Sequence, residues 1–127
     1  MARPEGRALL ASVARTATVS TDTQENLGHV GCHVVVEVTA LAATPSVVVT
    51  IEGEDPAVPG EFYTILSGTA ITDVTGTGRY VFKVGPGIAV SAGAAAADYL
   101  PARWRVTATH ADTDSITYSV GVNLFPS

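Results

Sequence analysis

Apolar and polar residues alternate with a period of two along most of this chain, and that alternation limits what it can fold into. The clearest runs are Trp104-Arg105-Val106-Thr107-Ala108-Thr109-His110 and Ile116-Thr117-Tyr118-Ser119-Val120-Gly121-Val122-Asn123-Leu124. Successive side chains of a strand point to opposite faces. Trp104, Val106 and Ala108 therefore share one face, and Ile116, Tyr118, Val120, Val122 and Leu124 share another. The link Ala111-Asp112-Thr113-Asp114-Ser115 is made of turn formers, so the two runs are expected to pair as a half-buried antiparallel hairpin.

The same grammar recurs upstream. Residues 31–41 place Val34, Val36 and Val38 in phase, and residues 46–52 do so with Val47, Val49 and Ile51. β-branched residues suit a pleated, half-buried surface, and the pair reads as a second hairpin or meander. Shorter strands are expected at 16–20, 61–66, 69–74 and 79–84, with turns at Thr75-Gly76-Thr77-Gly78 and Gly85-Pro86-Gly87. Residues 88–100 read as a loop with one helical turn, since the run Ala94 to Ala97 is too short to nucleate a helix alone. Residues 9–15 read as a helical turn, and residues 1–8 as a flexible segment broken by Pro4 and Gly6.

These signals predict an all-β fold: an antiparallel β-sandwich or barrel of about eight strands, jelly-roll or Ig-like, with an N-terminal arm. The arm covers residues 1–15, and residues 16–127 form a single β-sandwich domain. The expected core is Val34, Val36, Val38, Val47, Val49, Ile51, Leu66, Tyr80, Phe82, Val84, Trp104, Val106, Ile116, Tyr118, Val120 and Val122.

Composition narrows the function classes. At 127 residues the length suits one domain. The single cysteine, Cys32, leaves no internal disulfide framework and accords with a reducing compartment. Net charge is −5, with only seven basic residues, so no nucleic-acid footprint is expected. No run approaches the roughly eighteen apolar residues of a membrane-spanning helix. The patch from Ala8 to Ala14 is short, broken by Ser12 and preceded by Glu5, which argues against a signal peptide. Charged residues make up 15% of the chain, below the roughly 25% of a typical soluble domain. A weakly charged Thr/Ala-rich surface is easily dehydrated, which suits packing against neighbours.

Reactive constellations are hard to find. His29, Cys32 and His33 lack the second cysteine pair of a zinc site, and adjacent strand residues point apart. The plain reading is a half-buried thiol and two surface imidazoles. Asp112 and Asp114 lack the rest of a calcium loop and are explained by Asx-turn chemistry. Glu52-Gly53-Glu54-Asp55 reads as a solvated acidic loop. No serine stands in a Gly-x-Ser-x-Gly elbow, so the chain is not expected to be an enzyme or to carry a metal or cofactor. Of Trp104 and the four tyrosines, Tyr63 and Tyr99 are left outside the expected core, and would carry any sugar-stacking role.

Three stretches carry a resemblance: Tyr80-Val81-Phe82-Lys83-Val84-Gly85-Pro86-Gly87-Ile88, Asp98-Tyr99-Leu100-Pro101-Ala102-Arg103-Trp104-Arg105-Val106, and His110-Ala111-Asp112-Thr113-Asp114-Ser115-Ile116-Thr117-Tyr118-Ser119-Val120-Gly121. With Arg7-Ala8-Leu9-Leu10-Ala11-Ser12 and His33-Val34-Val35-Val36-Glu37-Val38-Thr39-Ala40, they make nearly the whole chain resemble small virion structural proteins of tailed phages of actinobacteria. The resemblance implies a capsid decoration protein, made in the host cytoplasm and bound to the outer surface of the major capsid protein lattice. A homo-oligomer, most simply a trimer, would bridge neighbouring subunits. A tail tube, terminator or tip module is the alternative, and a carbohydrate-binding β module the next. The family supplies no site residues. The expected interface is the arm itself, with Arg3, Arg7, Leu9, Leu10 and Arg15 seated on a neighbour.

Overall fold

The computed structural model describes residues 2–127, and every regular element among them is a strand. Eleven strands form where about eight were expected: β1 (Glu5–Arg15), β2 (Val19–Ser20), β3 (Gln24–Glu25), β4 (His29–Leu41), β5 (Ser46–Glu54), β6 (Phe62–Ser67), β7 (Ile71–Thr72), β8 (Gly78–Val84), β9 (Ala95–Ala96), β10 (Arg103–His110) and β11 (Ile116–Pro126). They build two sheets. The front sheet runs β1-β11-β4-β8-β9, and the back sheet runs β2-β10-β5-β6 with β3 also on β10 and β7 also on β5.

The surplus strands have a local cause. β2 and β3 are two pieces of one edge against β10, interrupted where buried Thr21 takes over the ladder. Its amide donates to Val106 O at 2.9 Å, and its hydroxyl accepts from Val106 N at 3.0 Å. β6 and β7 likewise share the edge of β5, interrupted at Gly68. Gly68 N donates to Val49 O, and the Phe82 ring occupies the space that a side chain there would need.

Counting each interrupted edge once and setting β9 aside leaves eight principal strands, ordered 1-8-3-6 in front and 2-7-4-5 behind. This is the strand order of a jelly roll. It overturns the two expected hairpins. β10 pairs with β5 and with β2 and β3, while β11 pairs with β1 and β4. The apolar faces of β10 and β11 do meet, but across the sandwich interior rather than along a shared ladder. β4 and β5 are divided between the sheets in the same way. Alternation records which face a residue occupies, not which strand lies beside it.

The two crossing loops are stitched together at one end. Ala42 N donates to Ser115 O at 2.9 Å, and Ala111 N to Ser46 O at 3.0 Å. Asp114 receives Thr44 N at 3.2 Å, while Asp112 Oδ1 accepts from Asp114 N in an Asx turn. At the other end Asn26 gathers three carbonyls, of His29, Leu100 and Pro101, through one amide group.

The core is the expected set with one exception and several additions. Tyr80 is half-buried, its hydroxyl turned to Gly76 O and Thr75. Cys32, Ile71, Ala95, Leu100, Ala108 and Leu124 join the buried residues. In place of the expected helical turn, Ala95 and Ala96 pair in parallel with Lys83 and Val84 and cover the edge of β8.

The N-terminal arm is not an arm. Residues 5–15 are paired antiparallel with β11 from Leu124 to Ile116, so the sandwich begins at residue 5 rather than 16. Two bulges accommodate the eleven residues of β1 against nine of β11. Glu5, Arg7 and Arg15 pair with residues of the inward phase, Leu124, Val122 and Ile116. Bulges and inward-directed charges discourage further strands from adding to an exposed edge.

Candidate functional site

The two outer faces of the sandwich differ in how their charges are satisfied. On the back sheet, Arg105 Nε lies 2.8 Å from Glu52 Oε1, and Thr107 Oγ1 donates to the same oxygen at 2.6 Å. Ser20 extends the network to β2, its Oγ 2.8 Å from Thr107 Oγ1. Arg105 also stacks over Phe62, 3.7 Å from the ring centroid. Arg103 meets Glu54 at 2.6 Å and holds its carboxyl below the ordinary carboxylate range. The acidic run read as a solvated loop is thus largely strand, with two of its carboxylates ion-paired across the sheet.

The front sheet presents a different surface. Strand register aligns Ala8, Gly121, Val35 and Val81 in one row across β1, β11, β4 and β8. The next row is Gly6, Asn123, His33 and Lys83. These positions alternate with the buried ones and so face outward. Only Lys83 in the two rows carries a full charge, and among the described residues it has no carboxylate partner. Ion pairing resumes on the other side of the Val35 row, where Arg79 meets Glu37 at 3.1 Å.

A cleft of about 580 Å³ opens at the end of this face. The loop after β8 forms one wall, with Pro86, Ile88 and Ala89; Phe125 and Pro126 of β11 form the other, and Val30 and Gly31 the floor. The loop approaches closely because Gly31 has no side chain: a Cβ there would fall 2.4 Å from Val84 O. His33 and Lys83 stand at the cleft, with the His33 ring edge-on to Phe125 at 4.6 Å between centroids. Partial burial, and then the neighbouring Lys83 charge, push the His33 pKa down. Smaller depressions continue the cleft past Phe125 and Asn123 to Gly6, and past Gly6 to Ala8 and Val35.

The residues expected on a free arm are built into the fold. Leu9 and Leu10 pack against the protein's own core. Arg7 pairs with Glu5 and donates to Gln24 Oε1 at 3.1 Å, bridging the open side between the sheets. Arg15 lies over the Tyr118 ring, 4.7 Å from its centroid, and donates to Ala11 O at 2.6 Å. Arg3 is tied through its carbonyl, 2.9 Å from His29 Nε2, while its side chain is exposed.

The histidines do not converge. His29 is buried rather than superficial, His33 lies on the outer front face, and His110 sits at the far end of β10, 2.8 Å from the Tyr118 hydroxyl. Cys32 points inward, fully buried instead of half-buried, and burial pushes its thiol up to about 12. Among the described residues, no group of three or more His, Cys, Asp or Glu side chains is placed to hold a metal ion. Nor is any helix long and apolar enough to cross a membrane.

Tyr63 and Tyr99 are exposed, at 49% and 64%. Tyr63 folds over Gly53 beside Pro101, so part of its ring is already covered. The sequence reading missed the front-face cleft. Gly85-Pro86-Gly87 was legible as a turn, but its position over Gly31 depends on pairing between strands far apart in the chain. The chain matches no protein-family model, no curated protein and no solved structure.

Proposed function

We propose that this chain is a non-enzymatic structural protein of a tailed-phage virion, a decoration protein that sits on the outer surface of the capsid lattice as a trimer. A fold alone assigns no function, although jelly rolls recur in viral capsid domains. The observation that carries the reading is the contrast between the two faces. The back face satisfies its charges internally and suits contact with water. The front face is low in charge, carries Val35, Val81 and Phe125 outward, and is indented by the cleft. Such a surface loses little on dehydration, since few polar groups need new partners. The resemblance to virion proteins expected from the sequence motifs agrees with this reading, while no family model or curated protein matches the chain. Attachment therefore runs through the front face, of which β1 is the edge strand, instead of through a free arm.

The test mixes purified protein with capsids lacking it and, separately, with isolated tails, followed by sedimentation and cryo-EM. Expected is density on the capsid exterior in threefold clusters, front sheet toward the lattice, and its loss on Val35→Glu in a protein that remains folded. Binding to tails alone, or to neither, overturns the reading.

One observation favours a second reading, a carbohydrate-binding module: the exposed Tyr63 and Tyr99 flank Pro101 in sequence or space. Glycan-array binding that disappears with Tyr63→Ala or Tyr99→Ala would carry it, and an empty array would dismiss it.

A further inference from the structure

The front-face cleft combines three features that specify an occupant. Its walls are apolar, with Ile88 and Ala89 facing Phe125 and Pro126. Its volume accepts a large side chain with room to spare. At its edge stands the only lysine of the chain, which no carboxylate of the described residues engages. Arg79, Arg103, Arg105 and Arg7 are all ion-paired, and Arg15 is committed to backbone carbonyls, so among the described residues Lys83 and the exposed Arg3 are the cations without a carboxylate partner, and Lys83 is the one that lines the cleft.

The cleft also has a direction. It continues through shallower depressions from β8 to β1, crossing β4 and β11. Three inter-strand spacings of about 4.8 Å make roughly 14 Å, the length of about four extended residues. A compact small molecule would leave most of this furrow empty, whereas an extended chain would follow it.

We infer that the furrow docks an extended segment of a partner polypeptide, its large apolar side chain between Ile88 and Phe125 and an adjacent Asp or Glu carboxylate on Lys83. This deepens the decoration reading and rests on it for the identity of the partner, a capsid subunit. The apolar side chain supplies the affinity. An exposed ion pair contributes little energy but selects which segment binds.

The test is an NMR titration of the ¹⁵N-labelled full chain with blocked hexapeptides, Gly-Gly-Leu-Asp-Gly-Gly and its Leu-Lys counterpart. The Leu-Asp peptide is expected to shift the amides of His33, Lys83, Ile88 and Phe125. It should bind about two- to fivefold more tightly than the Leu-Lys peptide, the range an exposed ion pair supports. Lys83→Glu should reverse that order, and Ile88→Asp should abolish binding of both; each site is on the surface, and the remaining amide peaks report that the fold persists. The inference falls if neither peptide shifts those amides at millimolar concentration, if the shifts map elsewhere, or if Lys83→Glu leaves the preference unchanged. It falls too if hexanoate shifts the same amides with equal affinity, which would make the cleft a site for small amphipathic anions. Peptide binding by a protein that ignores capsids would sink the decoration reading and leave the furrow standing. Capsid binding by a protein that ignores both peptides would do the reverse.

Discussion

Cys32 and Gly31 are neighbours whose roles are set by which side of β4 each faces. Cys32 points into the core, where burial holds the thiol far above its ordinary range, so almost no thiolate exists at neutral pH. An aromatic disulfide reagent is expected to leave Cys32 unmodified in the native protein and to label it fully in denaturant; rapid native labelling would show that β4 opens readily. Gly31 lies under Val84 and Gly85, and a methyl group there would strike backbone on the neighbouring strand. Gly31→Ala is expected to lower the unfolding free energy by about 1–3 kcal/mol, the range for overpacking a filled site. Urea denaturation measures this, and an unchanged midpoint would mean that the β8–β9 loop yields without cost. The in/out assignment of both residues follows from alternation alone. The closeness of the loop does not, because nothing near Gly31 in sequence announces Val84.

At the scale of the element, β1 shows how local pattern misleads. The sequence Glu5-Gly6-Arg7-Ala8-Leu9-Leu10-Ala11-Ser12 has no clean alternation, and its two bulges are the reason. Each extra residue shifts the phase, so the two-residue period is broken twice in eleven residues. β11 imposes the strand by offering an unpaired edge. The arginines that looked available for a partner lock this edge instead, Arg7 to Gln24 and Arg15 onto Tyr118. Deleting residues 2–15 is therefore expected to destroy cooperative folding, since it uncovers the edge of β11 and the core beneath Leu9 and Leu10. Arg15→Ala should cost about 0.5–2 kcal/mol through the lost cation–π contact alone. A truncated protein that kept a cooperative thermal transition at the same temperature would restore the arm. The expected hairpins fail for a related reason: in a jelly roll the chain changes sheets at most of its principal connections, and the β5–β6 connection stays within one sheet.

For the molecule as a whole, pH links the two ends of the sandwich. His33 beside the cleft and His110 at the β10–β11 end both have pKa values pushed down, in each case chiefly by partial burial. Lys83 adds to this at His33; Arg15 adds at His110, against the opposing pull of Asp112. Below about pH 6.5 the unfolded chain takes up protons at these positions before the native protein does. Stability contributed by the neutral imidazoles is therefore complete above that pH and declines as pH falls toward the native values. Thermal melts should show a lower midpoint at pH 5 than at pH 7.5, and the His33→Gln, His110→Gln double variant should flatten that slope. The carboxylate of Glu54, held low by Arg103, contributes above about pH 4.5 and loses its contribution only further down. A pH 5 to 7.5 slope that persists in the double variant would assign it to other groups.

Sequence by itself determined that the chain is all β, most of the side chains that lie inside, and roughly where the longer strands from β4 onward run. Those properties depend on a two-residue period and on turn chemistry, both of which act over a few residues. Strand partners, the status of residues 1–15 and the existence of the cleft were decided by the tertiary structure. A buried face is satisfied equally well by a neighbour in the same sheet or by the opposing sheet, so alternation is blind to that choice. The jelly-roll crossings resolve it by bringing β8, β4, β11 and β1 side by side, and only that order turns scattered residues such as His33, Lys83, Ile88 and Phe125 into one surface.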